Sequence, residues 1–306
     1  MNDIDKKGPY LQILTSLGIF DLTPVQEVDE IFYKRDDLFC PFGKGSVNGG
    51  KLRQGIYLLV TAKQKGYTKA ITGSSLISAQ APIVAIVTHF LGMSCLVLYG
   101  GTKKETLFEK HHMPRLVKYF GADIEICSSG RTNVLLHKAR QLSKEKDFIV
   151  EYGINSKNYK YFVPFYETTA YQTQNLPNDL DHLIITCGSG ISSTGIIYGL
   201  KKYNKNVKNI WLVGVGPNRT KKIKDRLASL FILTGINCIN TKCYYMDLFG
   251  EGLKYETKEE AYVEKDLQMH PNYEAKAYNW VLKNLNLFVG GKICFWVVGG
   301  PIKFLA

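Results

Sequence analysis

No run of about 20 apolar residues occurs in this 306-residue chain, which excludes a membrane-spanning helix. No two cysteines are spaced CxxC; Cys40, Cys95, Cys127, Cys187, Cys238, Cys243 and Cys294 are scattered. That scatter argues against a zinc site and a disulfide framework, and it suits reduced, mostly buried thiols in a cytoplasmic protein. GK[ST] is absent, so there is no Walker loop, and GxSxG is absent, so there is no hydrolase elbow. His111 and His112 are adjacent and would point about 100° apart on a helix, a poor pair of metal ligands. His270 precedes Pro271 and serves a turn. Internal repeats and low-complexity linkers are also missing. The opening MNDIDKKGPYLQIL has early acidic residues and no apolar run, so it does not read as a signal peptide.

Acidic residues are in short supply. Asp and Glu number 27 against 39 Lys and Arg, a formal net charge of +12. Lysines cluster at Lys201, Lys202, Lys205 and Lys208 and again over Lys221–Lys224. Charge pattern alone gives a solvated basic face; the sharper reading is attraction to phosphate or nucleic acid. No nucleic-acid module accompanies the charges, so sequence-specific recognition finds no support.

What is present is a globular composition, 45% hydrophobic, in a length that suits one large or two ordinary domains. Apolar strand candidates (IFYKRDDL, KAITGSS, SCLVLYG, ADIEICS, DHLIITCGSG, NIWLVGVG, ICFWVVGG) alternate with helical windows. These windows run over Lys51–Lys65, Ala79–Leu91, His112–Phe120, Val134–Glu145, Val163–Asn175, Ser192–Tyr203, Thr220–Thr234, Thr257–Leu267 and Tyr273–Leu285. Apolar strands alternating with amphipathic helices predict α/β architecture with mostly parallel sheets covered on both faces. Two doubly wound domains fit better than one. The strand that carries Tyr33 and Lys34 is expected to return to the second sheet.

Ile184–Leu200, IITCGSGISSTGIIYGL, is the most informative stretch. An apolar strand stops, glycines and serines turn the chain, and a helix begins. Gly188, Gly190 and Gly195 allow tight turns and close backbone approach. A helix N-terminus offers unpaired N–H groups and a positive partial charge, and Ser189, Ser192, Ser193 and Thr194 add hydroxyls, all suited to a phosphate. An ordinary serine-capped turn needs only one glycine and one serine. For a dinucleotide the spacing is wrong, and GVGPNRT, which ends the next strand, has no acid for a ribose. Pyridoxal phosphate needs a phosphate cup and a lysine, and Lys51 in NGGKLRQG supplies an amine at the mouth of a helix.

YKRDDL, GGKLR, SSLISAQ, CGSGISSTG, HPNYEAKA and VVGG follow one another in the order found in fold-type II pyridoxal-phosphate enzymes. From about Tyr33 to Gly300 the chain resembles that group, and most of all its 1-aminocyclopropane-1-carboxylate deaminase and D-cysteine desulfhydrase family. The resemblance implies a tryptophan synthase β-like fold with the cofactor between two domains. The large cofactor-binding domain would comprise residues 1–51 plus 168–306, and the small substrate-side domain residues 52–167. It implies pyridoxal 5'-phosphate on Lys51, with the phosphate held by Gly188, Ser189, Gly190, Ile191, Ser192, Ser193 and Thr194. Ser78, Ala79 and Gln80 match the substrate-side SN[QH], Tyr273 matches a tyrosine near the cofactor ring, and Glu274 matches the acid facing the pyridine nitrogen. The implied reaction is elimination or deamination of a small amino acid to ammonia and a keto acid, by a cytoplasmic homodimer.

Each residue also has a plainer reading. Lys51 suits a first-turn surface lysine, Ser78 a helix cap, and Tyr273 and Glu274 the exposed first turn after Pro271. The departures bear on the substrate. Ala79 stands for an asparagine that meets the ring hydroxyl, Gly50 for the asparagine before the lysine, and Gln54 for a basic residue. Leu253 stands for a second active-site tyrosine and Val298 for a threonine. They argue against an ordinary aminocyclopropane-carboxylate deaminase. They leave open a lyase with an unusual substrate, an aminoacyl group attached to nucleic acid included, or a cofactor-binding protein without turnover. A nicotinamide oxidoreductase ranks below these.

Overall fold

The computed structural model describes residues 9–103, 105–155, 159–238 and 241–303. The first eight residues, which carry part of the N-terminal reading, lie outside the described residues. In chain order the elements are α1 (Pro9–Ser16), β1 (Val25–Val28), β2 (Ile31–Arg35), α2 (Gly50–Gln64), β3 (Lys69–Gly73), α3 (Gln80–Phe90), β4 (Ser94–Gly100), α4 (Leu107–Lys110), α5 (His112–Tyr119), β5 (Asp123–Cys127) and α6 (Thr132–Leu142). There follow β6 (Asp147–Val150), α7 (Tyr159–Ala170), β7 (Leu180–Cys187), α8 (Ile191–Lys202), β8 (Val207–Gly214), α9 (Thr220–Thr234), β9 (Cys243–Asp247), β10 (Tyr262–Glu264), β11 (Leu267–Gln268), α10 (Glu274–Lys283) and β12 (Ile293–Val297). The seven cysteines are free thiols. Among the described residues no helix is long and apolar enough to cross a membrane.

The chain forms two compact units. One comprises Met1–Ile19, Gln54–Lys157 and Phe304–Ala306. Its sheet runs β5-β4-β3-β6, parallel throughout. α3 is buried from Gln80 to Thr88, the burial expected of a crossover helix in an α/β layer.

The other unit comprises Phe20–Arg53 and Asn158–Lys303. Its six strands run β1-β2-β12-β7-β8-β9, parallel except for antiparallel β1 at one edge. β2 does return to this sheet, with Tyr33 opposite Phe295 of β12. Every residue of β12, ICFWV, is buried. Such a strand must be apolar on both faces, which is why it reads as a continuous run rather than an alternation.

The expected boundaries at 51/52 and 167/168 shift. On the chain, the change of unit expected at 51/52 falls inside α2 after Arg53, and α7 groups with the six-stranded unit. The reason is a glycine seam on α8. A Cβ on Gly195 would lie 2.8 Å from Thr169 Cβ, and one on Gly199 would lie 2.5 Å from Ala170 O. Bare backbone at both positions lets α7 and α8 meet closely. Gly195 therefore serves helix packing, not the turn. The N-terminal segment, expected with the large domain, groups with the other unit, and its Leu14, Leu17 and Ile19 are buried.

The helix expected over Thr257–Leu267 is instead the β10–β11 hairpin. Its Glu, Lys and Ala content favours a helix, but tertiary contacts override propensity. Ala261, Leu267 and Met269 enter the core, Arg35 Nη2 donates to Asp266 O at 2.9 Å, and Gln26 Nε2 donates to Glu264 Oε2 at 2.7 Å. The short strands β1, β6 and β9 had no counterpart among the sequence's strand candidates.

Gly199→Ala is expected to lower the free energy of unfolding by about 1–3 kcal/mol through overpacking of the α7–α8 seam. Urea denaturation measures it; an unchanged midpoint would show that the seam can open without cost.

Candidate active site

α2 begins where it does because of two glycines. Gly49 has φ +91°, a left-handed conformation, and a Cβ there would lie 2.3 Å from Val298 O. A Cβ on Gly50 would lie 2.8 Å from Asp36 Oδ2, while the Gly50 N–H donates to Val298 O at 2.9 Å. An asparagine at Gly50 has no room beside Asp36. Asn48 takes a different task, accepting the Gly300 N–H at 2.8 Å. The chain before the lysine is thus stitched to the end of β12.

Asp36 is the buried hub beneath this start. It accepts from Thr23 Oγ1 at 3.1 Å and Trp296 Nε1 at 3.0 Å, and pairs with Arg53 Nη2 at 3.4 Å. Arg53 also lies over the Phe39 ring at 3.8 Å. With so many partners, the carboxylate can stay in the interior without an uncompensated charge.

Lys51 sits in the first turn of α2 and is half-buried. Burial pushes its amine down to about 8, and Glu274 pulls it back up. Glu274 opens α10 and is 4% exposed. Burial pushes its carboxyl up to about 8, opposed by the backbone N–H groups of Glu274 and Gly299 and by the Lys51 charge. The plainer readings of an exposed lysine and an exposed first-turn acid do not hold. These two groups sense each other's charge in the interior.

The glycine–serine turn lies in the same unit. Gly190 has φ +75°, and a Cβ there would meet Ile223 Cγ1 at 2.8 Å, so only glycine fits. Gly188 is different. The nearest atom to a Cβ built on it is Tyr273 Cε1 at 4.0 Å, so this position opens on space bounded by the Tyr273 ring. No side chain caps α8. The Thr194 N–H and Oγ1 both return to Gly190 O, at 3.0 and 2.7 Å, and the buried Ser193 hydroxyl acts on the Cys187 thiol, partly offsetting the rise that burial gives it. The hydroxyls of Ser193 and Thr194 therefore serve the turn itself. The N–H groups of Ile191, Ser192 and Ser193 at the helix start, together with half-buried Ser189 and Ser192, would be the groups to hold an anion. Arg219 Nε on Gly188 O (3.4 Å) and Arg226 Nη1 on Ser189 O (3.0 Å) bring positive charge to the same loop.

Tyr273, just before α10, shares a 2.5 Å hydrogen bond between hydroxyls with Tyr255. Tyr255 escaped sequence reasoning, which looked for a second tyrosine at Leu253; Leu253 packs against the core instead. The usable signal was YET after the glycines of GEGLKYET, two residues later than expected. His270 lies against the Tyr273 ring, and burial pushes it down to about 4, so its neutral ring accepts the Asn272 N–H.

The substrate-side trio belongs to the other unit. Ser78 Oγ accepts the Gln80 N–H at 3.2 Å, a capping contact. The Gln80 side chain donates to Thr72 Oγ1 at 2.9 Å and accepts from Gly153 N at 2.7 Å, so in this structure it joins strand ends. Ala79 is half-buried and offers no polar side-chain atom.

The expected cofactor fits the large unit. The space over Gly188 would take a phosphate beside the α8 N-terminus, Lys51 offers an amine whose pKa burial lowers, and Glu274 is a buried acid whose raised pKa would let it share a proton with a ring nitrogen.

The family described as pyridoxal-phosphate dependent enzyme matches residues 19–263. The chain is 26% identical to the O-seryl-dTMP PLP-dependent decarboxylase of Salmonella phage ViI, over 96% of this chain and 87% of that protein. It is 27% identical to a probable 1-aminocyclopropane-1-carboxylate deaminase of Schizosaccharomyces pombe, over 65% of this chain and 61% of that protein. Among solved structures, that of an ACC deaminase homologue superposes with a TM-score of 0.76 at 19% identity, over 97% of this chain and 96% of the other.

In the cofactor-free protein the raised Glu274 carboxyl has a definite consequence. Between its ordinary 4.5 and about 8 the folded chain holds a proton that the unfolded chain has released, so rising pH costs stability through that window. Lys51 acts between about 8 and 10.5, where the unfolded chain holds the extra proton and stability rises with pH. Glu274→Gln removes the first effect. Its urea midpoint should exceed that of the parent protein by a margin that grows between pH 5 and 8; a constant margin would contradict the burial of this acid.

Proposed function

The chain belongs to the pyridoxal-phosphate dependent enzyme family, and from that premise we propose that it decarboxylates an amino acid carried on a thymidine nucleotide. The observation that carries the reading is that Lys51 and Glu274 act on each other's charge, while Tyr273, the residue before Glu274, bounds the space over Gly188. Bound pyridoxal phosphate supplies an electron sink for the pair left on the α-carbon when the carboxylate departs as carbon dioxide. Lys51 Nζ would hold the cofactor and, once released, deliver a proton to the α-carbon. Glu274 holds a proton at the pyridine nitrogen. The N–H groups of Ile191, Ser192 and Ser193 would orient the phosphate.

Two things favour a nucleotide-borne substrate. The phage relative, whose name gives O-seryl-dTMP as its substrate, spans nearly the whole of this chain. In addition, Arg219, Lys221, Lys224 and Arg226 put cations in the first two turns of α9, whose first turn carries no acid and whose second carries only Asp225. Cations there are unfavourable unless an anion joins them. A substrate phosphate would be such an anion. A macromolecular nucleic acid is not needed, and a second copy of the chain remains the expected partner.

The second reading is deamination of a small free amino acid to ammonia and a keto acid. It is favoured by similarity to the Schizosaccharomyces pombe protein and to a deaminase of Pseudomonas syringae pv. tomato.

Product analysis separates the two. With O-seryl-dTMP the purified holoenzyme is expected to release carbon dioxide, with free serine or 1-aminocyclopropane-1-carboxylate neither ammonia nor carbon dioxide, and Lys51→Ala is expected to lose about 10³-fold or more in rate. Ammonia and keto acid from a free amino acid, with no carbon dioxide from the nucleotide, would replace the first reading by the second.

A further inference from the structure

Lys276 is buried, 1% exposed, yet among the described residues no carboxylate pairs with its ammonium. Its Nζ donates to Lys254 O at 2.9 Å and Tyr255 O at 3.0 Å, while Glu259 and Glu256 act on it only through charge. Burying an ammonium on neutral carbonyls is costly, and a structure keeps such a group where it secures a specific geometry.

A second side chain does the same work one turn away. Asn272, 4% exposed, donates through Nδ2 to Glu256 O at 3.2 Å and Thr257 O at 3.3 Å. Four consecutive carbonyls, those of residues 254 to 257, are thus gripped by Asn272 and Lys276. Tyr273 and Glu274 lie between these two grips along the chain. The gripped segment carries Tyr255, whose ring lies 5.8 Å from that of Tyr273 at 73° and whose hydroxyl meets the Tyr273 hydroxyl.

We propose that Lys276 is a positioning residue: with Asn272 it clamps the segment 254–257 onto the start of α10, so that the Tyr255 hydroxyl stays on the Tyr273 hydroxyl beside the Gly188 loop. The inference rests on the reading of the tyrosine pair as part of the active site. A backbone gripped at both ends leaves Tyr255 little freedom, and misplacement by 1 Å of a group that orients a reacting residue costs on the order of a hundredfold in rate.

The test uses a cycle of four holoenzymes, the parent, Lys276→Met, Tyr255→Phe and the double variant, assayed for kcat and KM on the substrate turned over in the product assay. Lys276→Met should lower kcat roughly ten- to a hundredfold with little change in KM, and have less than about a twofold further effect once Tyr255 is Phe. Lys276→Arg, which can still donate to both carbonyls, should recover most of the loss. A second readout needs no turnover. In cofactor-free protein with ¹³Cζ-labelled tyrosine, Tyr273→Phe should shift the Tyr255 signal, and Lys276→Met should abolish that shift. If Lys276→Met does not fold, Asn272→Leu takes its place in both measurements. Equal losses from Lys276→Met in both backgrounds, or a Tyr255 shift that survives it, would overturn the proposal. A Tyr255→Phe enzyme with unchanged kcat but an intact, Lys276-dependent signal shift would instead overturn the catalytic reading of the tyrosine pair and leave the clamp standing.

Discussion

Everything in the six-stranded unit that bears on chemistry depends on the burial of Lys51 and Glu274 within reach of each other's charge. Each is perturbed by desolvation, in opposite senses, and each partly relieves the other. A pair of this kind is poor material for stability. Replacing such ions by apolar side chains commonly stabilises a fold, so their retention points to chemistry. Their placement follows from two helix starts. α2 begins on Gly49 and Gly50, pressed against Val298 O and Asp36, and α10 begins at Glu274 under the Gly299 N–H. The end of β12 therefore serves both helices, and the closing VVGG reads as a seat for backbone rather than as a ligand set.

A division of labour follows around that pair. Of the hydroxyls in the glycine–serine turn, those of Ser193 and Thr194 build the turn, while Ser189 and Ser192 remain at its surface. Arg219 and Arg226 hold the loop's carbonyls and bring positive charge with them. On the far side, Tyr273 bounds the space over Gly188, and Asn272 and Lys276 fix the segment that supplies its partner Tyr255. In the proposed reading, anion binding would thus fall mainly to backbone N–H groups, which cannot titrate, and proton handling to side chains, which can.

Much of this was legible in the sequence. Continuous apolar strands alternating with amphipathic helices gave the α/β class, and the return of the Tyr33 strand to the second sheet was expected and found. Lys51 behind two glycines and Glu274 after Pro271 carried their signal in local spacing, because a helix start is a local event. What stayed hidden depends on contacts distant in sequence. Tyr255 was missed because only the fold brings its hydroxyl to Tyr273. The β10–β11 hairpin was read as a helix because its composition favours one, while the core contacts of Leu267 and Met269 decide otherwise. The contacts of the Gln80 amide with Thr72 and Gly153 were equally hidden, because nothing in the sequence brings those residues together. Gly195 read as part of the turn because its seam with α7 is made by a helix 25 residues or more upstream.

The central claim is that Lys51, and no other lysine, carries the cofactor in front of Glu274. Borohydride reduction of the holoenzyme followed by peptide mapping tests it most directly. The account predicts a single pyridoxyl group, on the peptide containing Lys51. A label on any other lysine, or none on a protein that has taken up the cofactor, would contradict it.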